Sequence, residues 1–349
     1  RELLLKHFQT NSLKGFGIDE LNAATIAAGA VLHYLSDTQH DKLGHITSIS
    51  RINEDKYVWL DKFTIRNLEL LYSENTKAKT LVDVLDKTVS PMGARMLRRW
   101  LVMPLKDLHP VYDRLEVVNY FVHEAEIALK VLHQLKLIGD LERIVSKAAI
   151  GKITPREVIQ LRRALLAIEP VKQLALSSNN KQLMVFADQL NPCSVLALQI
   201  ENTIVDEPPA VISKGGASKS GINGELDELR SISRSGKEFL AQIQKRESEK
   251  TNIPSLKVAF NNVFGYYIEV THTHKNKVPS DWIRKQTLTT AERYITPELK
   301  EYEEKILGAE EKILSLEEKI FLDLVTDIAQ YIKPIQQNAL VIAQLDCLL

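Results

Sequence analysis

Residues 251–296 concentrate side chains that suit the binding of phosphate. The stretch has six lysine or arginine residues against three acidic residues, whereas the whole chain has 45 of each kind. Amide and hydroxyl side chains, which are short hydrogen-bond donors, lie between these bases. Donors of this kind hold a phosphate backbone without reading its sequence. The bases are Lys257, Lys275, Lys277, Arg284, Lys285 and Arg293, and the other donors are Asn261, Asn262, Gln286, Thr287, Thr289 and Thr290.

Other stretches with potential chemistry are weaker candidates. Residues 215–220 (GGASKS) lack the GxxxxGK[ST] spacing of a phosphate loop and follow two prolines instead of an apolar strand. We interpret them as part of a flexible connection. His272 and His274 would share one face of a strand, but no cysteine or carboxylate cluster completes a metal site around them. Histidines that face solvent or phosphate fit this pattern better than metal ligands.

The charges of residues 140–143 (DLER) indicate an ion pair that fixes helix contacts. No order of serine, histidine and aspartate and no paired carboxylates stand out. The sequence therefore predicts no enzyme, no bound cofactor and no metal ion in these residues.

The elements around the basic stretch predict how it is displayed. Apolar residues recur in a helical pattern over 226–249 and again from Pro297. Between them the period changes to two, because Leu256, Val258 and Phe260 alternate with smaller or charged residues. Alternation of this kind is typical of half-buried strands. The sequence thus predicts a small β module inserted between two helices.

The second of these helices has a regular apolar seam. Its members recur at alternating spacings of three and four, which is typical of a coiled coil that faces a partner helix. They are Leu299, Tyr302, Ile306, Ala309, Ile313, Leu316 and Ile320. The helix before the β module is the expected antiparallel partner. Its run of about 24 residues would span roughly 36 Å.

The length and composition of the chain limit the classes of protein to which it can belong. A length of 349 residues suggests two or three domains. Cys193 and Cys347 have no metal-ligand or disulfide-framework spacing, which favours a reducing cytoplasm. No signal peptide and no apolar run of membrane length is present. Because the chain begins at Arg1 without methionine and ends in an apolar run, we expect a piece of a longer protein.

Most of the remaining chain predicts helices. Ser90 and Thr154 are expected N-caps, each followed by proline, and Glu157 completes a capping box with Thr154. The helix after Thr154 is expected to end near Pro170. Further helices are predicted at 21–35, 132–144 and 187–204, and short strands at 46–52 and 57–60.

Several long motifs, in order along nearly the whole chain, resemble the central region of the MutS family, the DNA mismatch-recognition ATPases. They are DKTVSPMGARMLRRWL at 86–101, GDLER at 139–143, GELDEL at 224–229, LKVAFN at 256–261, GYYI at 265–268, QTL at 286–288, AERY at 291–294 and PELKEY at 297–302. Residues 21–39 also resemble the end of the connector domain of this family.

The resemblance implies a domain map and a fold class. It implies the tail of a connector domain at 1–40, a discontinuous helical core and lever domain at 41–225 and 297–349, a descending lever helix at 226–250, and a clamp domain at 251–296. The expected fold class is mainly α. It has a multi-helix core and a long antiparallel coiled-coil lever, which carries a small β-rich clamp between its two helices.

The resemblance also implies a function. In the family, two clamps in a homodimer close around double-stranded DNA and contact its backbone without sequence specificity, while the lever couples clamp position to the ATPase. The residues to which the resemblance assigns backbone contacts are Lys257, Asn261, Asn262, His272, Lys275, Lys277, Arg284, Lys285, Gln286, Thr287, Thr289, Thr290 and Arg293.

The mismatch-reading Phe-x-Glu motif and the P-loop ATPase of the family, with its ATP and Mg²⁺, are expected outside these residues. The piece itself is therefore expected to hydrolyse no ATP and to bind DNA weakly. A MutL-type partner and a cytoplasmic, nucleoid-associated location in a bacterium, with no membrane, are implied as well.

Two other functions fit the same pattern of elements. A structural coiled-coil arm could use its tip to dock a protein partner. An RNA-binding arm, of the kind that some aminoacyl-tRNA synthetases carry, is disfavoured because the basic stretch has no contiguous aromatic platform for unpaired bases.

Overall fold

The computed structural model describes residues 1–39, 43–52, 54–75, 77–261, 263 and 265–349. The chain divides into two compact units. Unit one comprises Arg1–Ala210 together with Leu322–Leu349, and unit two comprises Val211–Phe321.

The described residues are mainly helical. In chain order the helices are α1 (Glu2–His7), α2 (Asn22–Gln39), α3 (Lys62–Asn67), α4 (Leu81–Leu85), α5 (Pro91–Val102), α6 (Leu108–His123), α7 (Ala125–Ile138), α8 (Leu141–Ala149), α9 (Pro155–Leu176), α10 (Lys181–Gln189), α11 (Ser194–Thr203), α12 (Gly224–Thr251), α13 (Pro297–Gln330) and α14 (Ile332–Leu348). Helix α12 and most of α13 belong to unit two, and the remaining helices belong to unit one.

Several predicted elements of unit one need correction. The helix predicted at 132–144 is broken at Gly139, whose φ of 68° leaves the helical region and separates α7 from α8. The helix predicted at 187–204 is likewise divided between α10 and α11. The strand prediction for 46–52 is wrong, since these residues form no strand, and in 57–60 only Tyr57 makes an isolated bridge, to Leu105.

Helix α9 runs through the core of unit one. Its predicted capping box is confirmed, because the Thr154 hydroxyl accepts from the Glu157 amide and the Glu157 carboxylate accepts from the Thr154 amide. The helix does not end near Pro170 but continues to Leu176. Pro170 lies on the exposed side of α9, while Ile168 and Val171 are buried. Packing of the apolar side therefore outweighs the single backbone hydrogen bond that proline removes.

The start of α5 is fixed by a carboxylate from α14. Ser90 is the confirmed N-cap, and Pro91 follows it. Buried Asp346 accepts hydrogen bonds from the Val89 amide at 2.9 Å, the Ser90 amide at 2.8 Å and the Ser90 hydroxyl at 2.6 Å. Gly93 lies directly against this carboxylate, and a Cβ at position 93 would overlap it. A negative charge at a helix N-terminus is also favoured by the helix dipole.

The charged motif at 140–143 joins two helices. The Arg95 guanidinium on α5 donates to both oxygens of Asp140, at 2.8 and 3.0 Å, and to Glu142 at the start of α8. The hydrogen bonds to Asp140 raise the pKa of Arg95, and the same contact lowers the pKa of Asp140. The ion pair predicted from the sequence is therefore confirmed, with Arg95 as the partner.

Unit two contains a four-stranded antiparallel sheet between its two helices. The strands are β1 (Lys257–Asn261), β2 (Gly265–Thr271), β3 (Ile283–Thr287) and β4 (Ala291–Ile295), in the order β1-β2-β4-β3. Strand β2 pairs with β1 and β4, which places β1 and β3 at the two edges. The β module predicted from the change of period is confirmed. Its core joins Ile268, Val270 and Tyr294 of the sheet to Leu240 and Leu299 of the helices.

Side-chain contacts connect α12 and α13 within unit two. Phe239 stacks on Tyr302 with ring centroids 3.9 Å apart, and Lys237 pairs with Glu310 at 2.6 Å. Gly236 lies against Ile306, so a Cβ at position 236 would meet Ile306 Cγ1 at 2.5 Å. Residues nearer the end of α12 contact residues nearer the start of α13, and earlier residues of α12 contact later residues of α13. The two helices are therefore antiparallel.

The predicted seam of α13 is buried only in part. Leu299, Ile306 and Ala309 are buried, whereas the members nearer the end of unit two are half-buried. The fully buried residue in that part is Glu317, which is 1% exposed.

In the part of the chain that the structure describes, no single helix is long and apolar enough to cross a membrane. The pair α10 and α11, bent by 47° at the break between them, passes the same test by length and composition.

Candidate nucleic-acid interface

One face of the sheet is apolar and packs on the core of unit two, and the other face carries charged residues. Side chains alternate between faces along each strand. Val258, Ile268 and Val270 pack on the apolar core of unit two. The register places Lys257 opposite Glu269 and Glu269 opposite Arg293, so these three charged residues share the other face.

One end of the sheet gathers many of the predicted phosphate contacts. Strand β2 ends at Thr271 and is followed by a short 3₁₀ helix, His272–Lys277. The His272 amide donates to the Thr290 carbonyl at 3.1 Å, and its ring Nε2 lies 3.0 Å from the Leu288 carbonyl oxygen. The 3₁₀ helix and the β3–β4 turn therefore lie side by side. We name this region, residues 272–277 with 287–291, the basic end.

The placement of the two histidines on one strand face is wrong, because they lie on the 3₁₀ helix. In the described residues no group of three or more histidine, cysteine, aspartate or glutamate side chains could hold a metal ion.

A buried carboxylate organises the cations beside the basic end. Glu292 on β4 is 2% exposed. Its Oε1 lies 2.8 Å from Lys275 Nζ and 3.3 Å from Arg284 Nη1, and its Oε2 accepts from the Tyr294 hydroxyl. The hydrogen bonds from Lys275 and Tyr294 lower the pKa of Glu292 to about 2, while burial and the bond to Glu292 raise the pKa of Tyr294 to about 12. Glu292 is therefore a permanent anion at neutral pH.

This cluster predicts an acid-dependent change in stability. Because the pKa of Glu292 is lower in the folded chain than its ordinary value of 4.5, its stabilising effect is complete above about pH 4.5 and is lost as the pH falls toward about 2. We expect the difference in thermal midpoint between the wild type and Glu292→Gln to be constant from pH 7 to 5 and to shrink below pH 4.5. A difference that disappears between pH 6 and 5 would contradict this assignment.

Arg293 is held by neighbours on its own face of the sheet. Its Nε donates to Glu269 at 3.0 Å and its Nη1 to the Gln286 side chain at 2.8 Å. Its guanidinium also lies 4.2 Å from the centre of the Tyr267 ring, which it covers. Arg293 and Gln286 are thus brought together as predicted members of one site, but two donors of Arg293 are directed at Glu269 and at Oε1 of Gln286.

Three lysines are more accessible. Lys257 and Lys285 are exposed and form no ion pair with any described residue. Lys257 opens edge strand β1, and Lys285 lies at an irregularity in the register of edge strand β3. Lys277 donates to the Asn252 carbonyl at 3.1 Å and is otherwise exposed. Thr287, Thr289 and Thr290 are exposed beside them.

Asn261 lies at the opposite end of the sheet, as the last residue of β1 before the turn to β2, and its side chain accepts from the Val263 amide at 2.8 Å. Asn262, the neighbouring predicted contact, lies outside the described residues. The structure therefore separates Asn261 from the residues of the basic end.

Acidic side chains of α13 lie against the strand that leaves this turn. Buried Glu303 accepts from the Tyr266 amide at 2.6 Å. Gly265 has a φ of +75°, and a Cβ there would overlap the Glu303 carboxylate. Glu303 also pairs with Lys300, so these two residues add no net positive charge at the turn end, and the basic end is the more favourable one for a phosphate.

The backbone amides of the glycine-rich loop at 215–220 bind a carboxylate of the same protein. Gly215 and Gly216 have φ of 68° and 77°, and the Gly216 amide donates to Glu317 at 2.6 Å. Arg230 pairs with Glu317 and donates to the Ser218 carbonyl at 2.8 Å. Successive backbone amides of this kind form an anion-binding nest. Here the anion is a buried glutamate, so the loop is fixed within unit two, contrary to its prediction as flexible.

Comparison with known proteins identifies the family. Residues 63–349 match the family model described as MutS domain III, and residues 1–47 match that of MutS domain II. The chain is 61% identical over 348 residues to the DNA mismatch repair protein MutS of Flavobacterium psychrophilum, 59% over 349 residues to that of Phocaeicola vulgatus, and 52% over 347 residues to that of Cytophaga hutchinsonii. These alignments cover 99–100% of this chain and 40% of each relative.

Fold and comparisons agree. The chain is a mostly helical protein with a small antiparallel sheet of four strands, as is consistent with MutS domain III. It belongs to the MutS family, and the resemblance noted in its motifs is confirmed.

Sequence reasoning missed the acidic partners of the site. Glu292 and Glu269 entered the charge count only as single negative charges. The alternation of Glu292, Arg293 and Tyr294 along one strand was an available signal, since it places Glu292 on the same face as Tyr294 and opposite to Arg293.

Proposed function

We propose that the four-stranded sheet is a clamp that holds the backbone of double-stranded DNA without sequence specificity. The observation that carries the proposal is the basic end, where exposed lysine and threonine side chains converge near exposed Arg284, while Glu292 lies buried beneath them and Glu269 is paired with Arg293. Lysine and arginine that neutralise phosphates supply affinity that is independent of sequence.

Under this proposal the residues at 251–296 form the clamp, and 226–250 form the helix that leads to it. Residues 41–225 and 297–349 then form the core and lever, and residues 1–40 the end of a connector. The chain spans 40% of the length of its curated relatives, which are named as DNA mismatch repair proteins. We therefore also propose that it acts within a longer mismatch repair protein in the bacterial cytoplasm, associated with the nucleoid.

In that longer protein, the paired helices α12 and α13 would couple the position of the clamp to an ATPase with its ATP and Mg²⁺. Two copies of the protein would surround mismatched duplex DNA, and a MutL-type protein would be a further partner. Residues 1–349 would contribute binding and coupling, without a catalytic step of their own.

A salt titration tests the clamp. We expect the chain to bind a duplex of about 30 base pairs with an affinity that falls as salt rises from about 50 to 200 mM. Lys257→Ala/Lys285→Ala removes two exposed cations, so the slope of log affinity against log salt should become smaller by up to about 2. Fluorescence anisotropy with labelled DNA measures both quantities.

The matched control removes the same charge elsewhere in unit two. Lys312 and Lys319 are exposed on α13 and pair with no described residue, so Lys312→Ala/Lys319→Ala should leave the slope near that of the wild type. Equal slopes in the two double variants would show that binding arises from general charge and not from the sheet.

A protein partner is the second candidate. Phe260 and Val263 at the turn end of the sheet are 45% and 78% exposed, and a contiguous exposed apolar patch would mark a protein contact. If this surface is the functional one, duplex DNA will not bind with a salt-dependent affinity, and Val263→Asp will disrupt binding of the protein partner.

A further inference from the structure

Two of the predicted phosphate contacts share one carboxylate oxygen although they come from different segments. Lys275 lies on the 3₁₀ helix and Arg284 on β3, yet their nitrogens lie 2.8 and 3.3 Å from Oε1 of Glu292. The other oxygen is occupied by the Tyr294 hydroxyl, which fixes the carboxylate in place. The two cationic groups are therefore held close to each other at a defined position.

Both cations keep donors for a ligand. Their side chains are 51% and 55% exposed, whereas that of Glu292 is only 3% exposed. An ammonium group has three donors and a guanidinium five, and the contact with Glu292 uses one of each. The cluster of two cations and one anion has a net charge of +1, so it still attracts a phosphate.

We propose that Glu292 is a positioning residue that holds Lys275 and Arg284 as a ready-made pair of donors for a single phosphate of the DNA backbone. The inference rests on the proposed clamp function. Donors fixed before binding lose less conformational freedom when the ligand arrives. Lys257 and Lys285, which have no such partner, supply charge without a fixed geometry, and Arg293 is already occupied by Glu269 and Gln286.

The inference makes a prediction opposite to simple charge counting. Glu292→Gln removes a negative charge beside the DNA, so charge counting expects tighter binding. Positioning expects the Lys275–Arg284 pair to disperse and the affinity at 50 mM salt to fall roughly tenfold, with a salt slope smaller by about one. Glu292→Asp gives a test at constant charge, because its shorter side chain withdraws the carboxylate. If Glu292 positions the two cations, Glu292→Asp should also weaken DNA binding. Charge counting predicts no change in affinity for this variant.

A double-mutant cycle separates positioning from a general loss of structure. Arg284→Ala should weaken binding in the wild type but have little further effect in Glu292→Gln, since the pair is already dispersed. Circular dichroism and thermal unfolding identify any variant that fails to fold, in which case the Asp variant decides. Binding by Glu292→Gln and Glu292→Asp that equals or exceeds the wild type would overturn the inference.

The proposed function can fail separately. If the wild type shows no salt-dependent binding, or if Lys257→Ala/Lys285→Ala behaves like the Lys312→Ala/Lys319→Ala control, the clamp assignment is wrong. If those results support the clamp and the Glu292 variants still bind normally, only the positioning role is wrong.

Discussion

Glu317→Ala is expected to destabilise unit two by about 3 kcal/mol, since it removes a buried acceptor of the Gly216 amide together with the buried partner of Arg230. Glu317 is 1% exposed and is the partner of Arg230. It is also the acceptor for the Gly216 amide in the anion nest. Its loss therefore leaves the Gly216 amide without its acceptor and leaves Arg230 with the weaker pairing to Asp227 and the Ser218 carbonyl.

Hydrogen exchange of the Gly216 amide measures this effect locally. A loss of about 3 kcal/mol corresponds to exchange that is about a hundredfold faster, where exchange requires this region to open. Glu318→Ala is the matched control, because Glu318 is the next residue on α13 and is exposed. Similar exchange in the two variants would mean that the ion pair does not hold the loop.

Asp346→Ala is expected to lower the free energy of unfolding of unit one by about 4 kcal/mol. The substitution leaves the Val89 amide, the Ser90 amide and the Ser90 hydroxyl without their acceptor, and each buried unsatisfied donor costs about 1–3 kcal/mol, with partial compensation by water. Thermal or urea denaturation monitored by circular dichroism provides the measurement. Lys333→Ala, at an exposed position of α14, should change stability by less than about 0.5 kcal/mol.

Gly93 gives an internal check on the same contact. Gly93→Ala alone should destabilise unit one, because its methyl group would overlap the Asp346 carboxylate. In the Asp346→Ala background the carboxylate atoms at 2.1 and 2.7 Å are gone and only the Cβ at 2.9 Å remains, so the same substitution should cost less. Additive effects of the two substitutions would show that the predicted contact is not the cause of the destabilisation.

Local signals account for the elements that the sequence predicted well. Ser90 with Pro91, and Thr154 with Glu157, start helices through contacts within a few residues, so the motif alone predicts the geometry. The strands of the sheet follow from a period of two that extends over short runs. The break at Gly139 and the continuation through Pro170 depend on the surrounding packing, which one segment of sequence does not reveal.

The sequence predicts which basic residues belong to the candidate site, but it does not predict which acidic residues pair with them. A count of charges predicts a basic stretch, and the structure places most of its members at or near one end of the sheet. The count does not say that Glu292 joins Lys275 to Arg284 or that Glu269 occupies Arg293, because these partners are 8 to 24 residues apart in sequence. For the same reason, Asn261 was grouped with residues that lie at the opposite end.

The contact of Gly236 with Ile306 has a mechanical consequence for the helix pair of unit two. Sliding α12 by one turn would bring Ile232 or Leu240 to the place that Gly236 now occupies, and either side chain would collide with Ile306. The contact between Gly236 and Ile306 therefore opposes sliding of α12 along α13 by one turn. Under the proposed lever role, this resistance to slippage would allow a pull along one helix to reach the sheet as displacement.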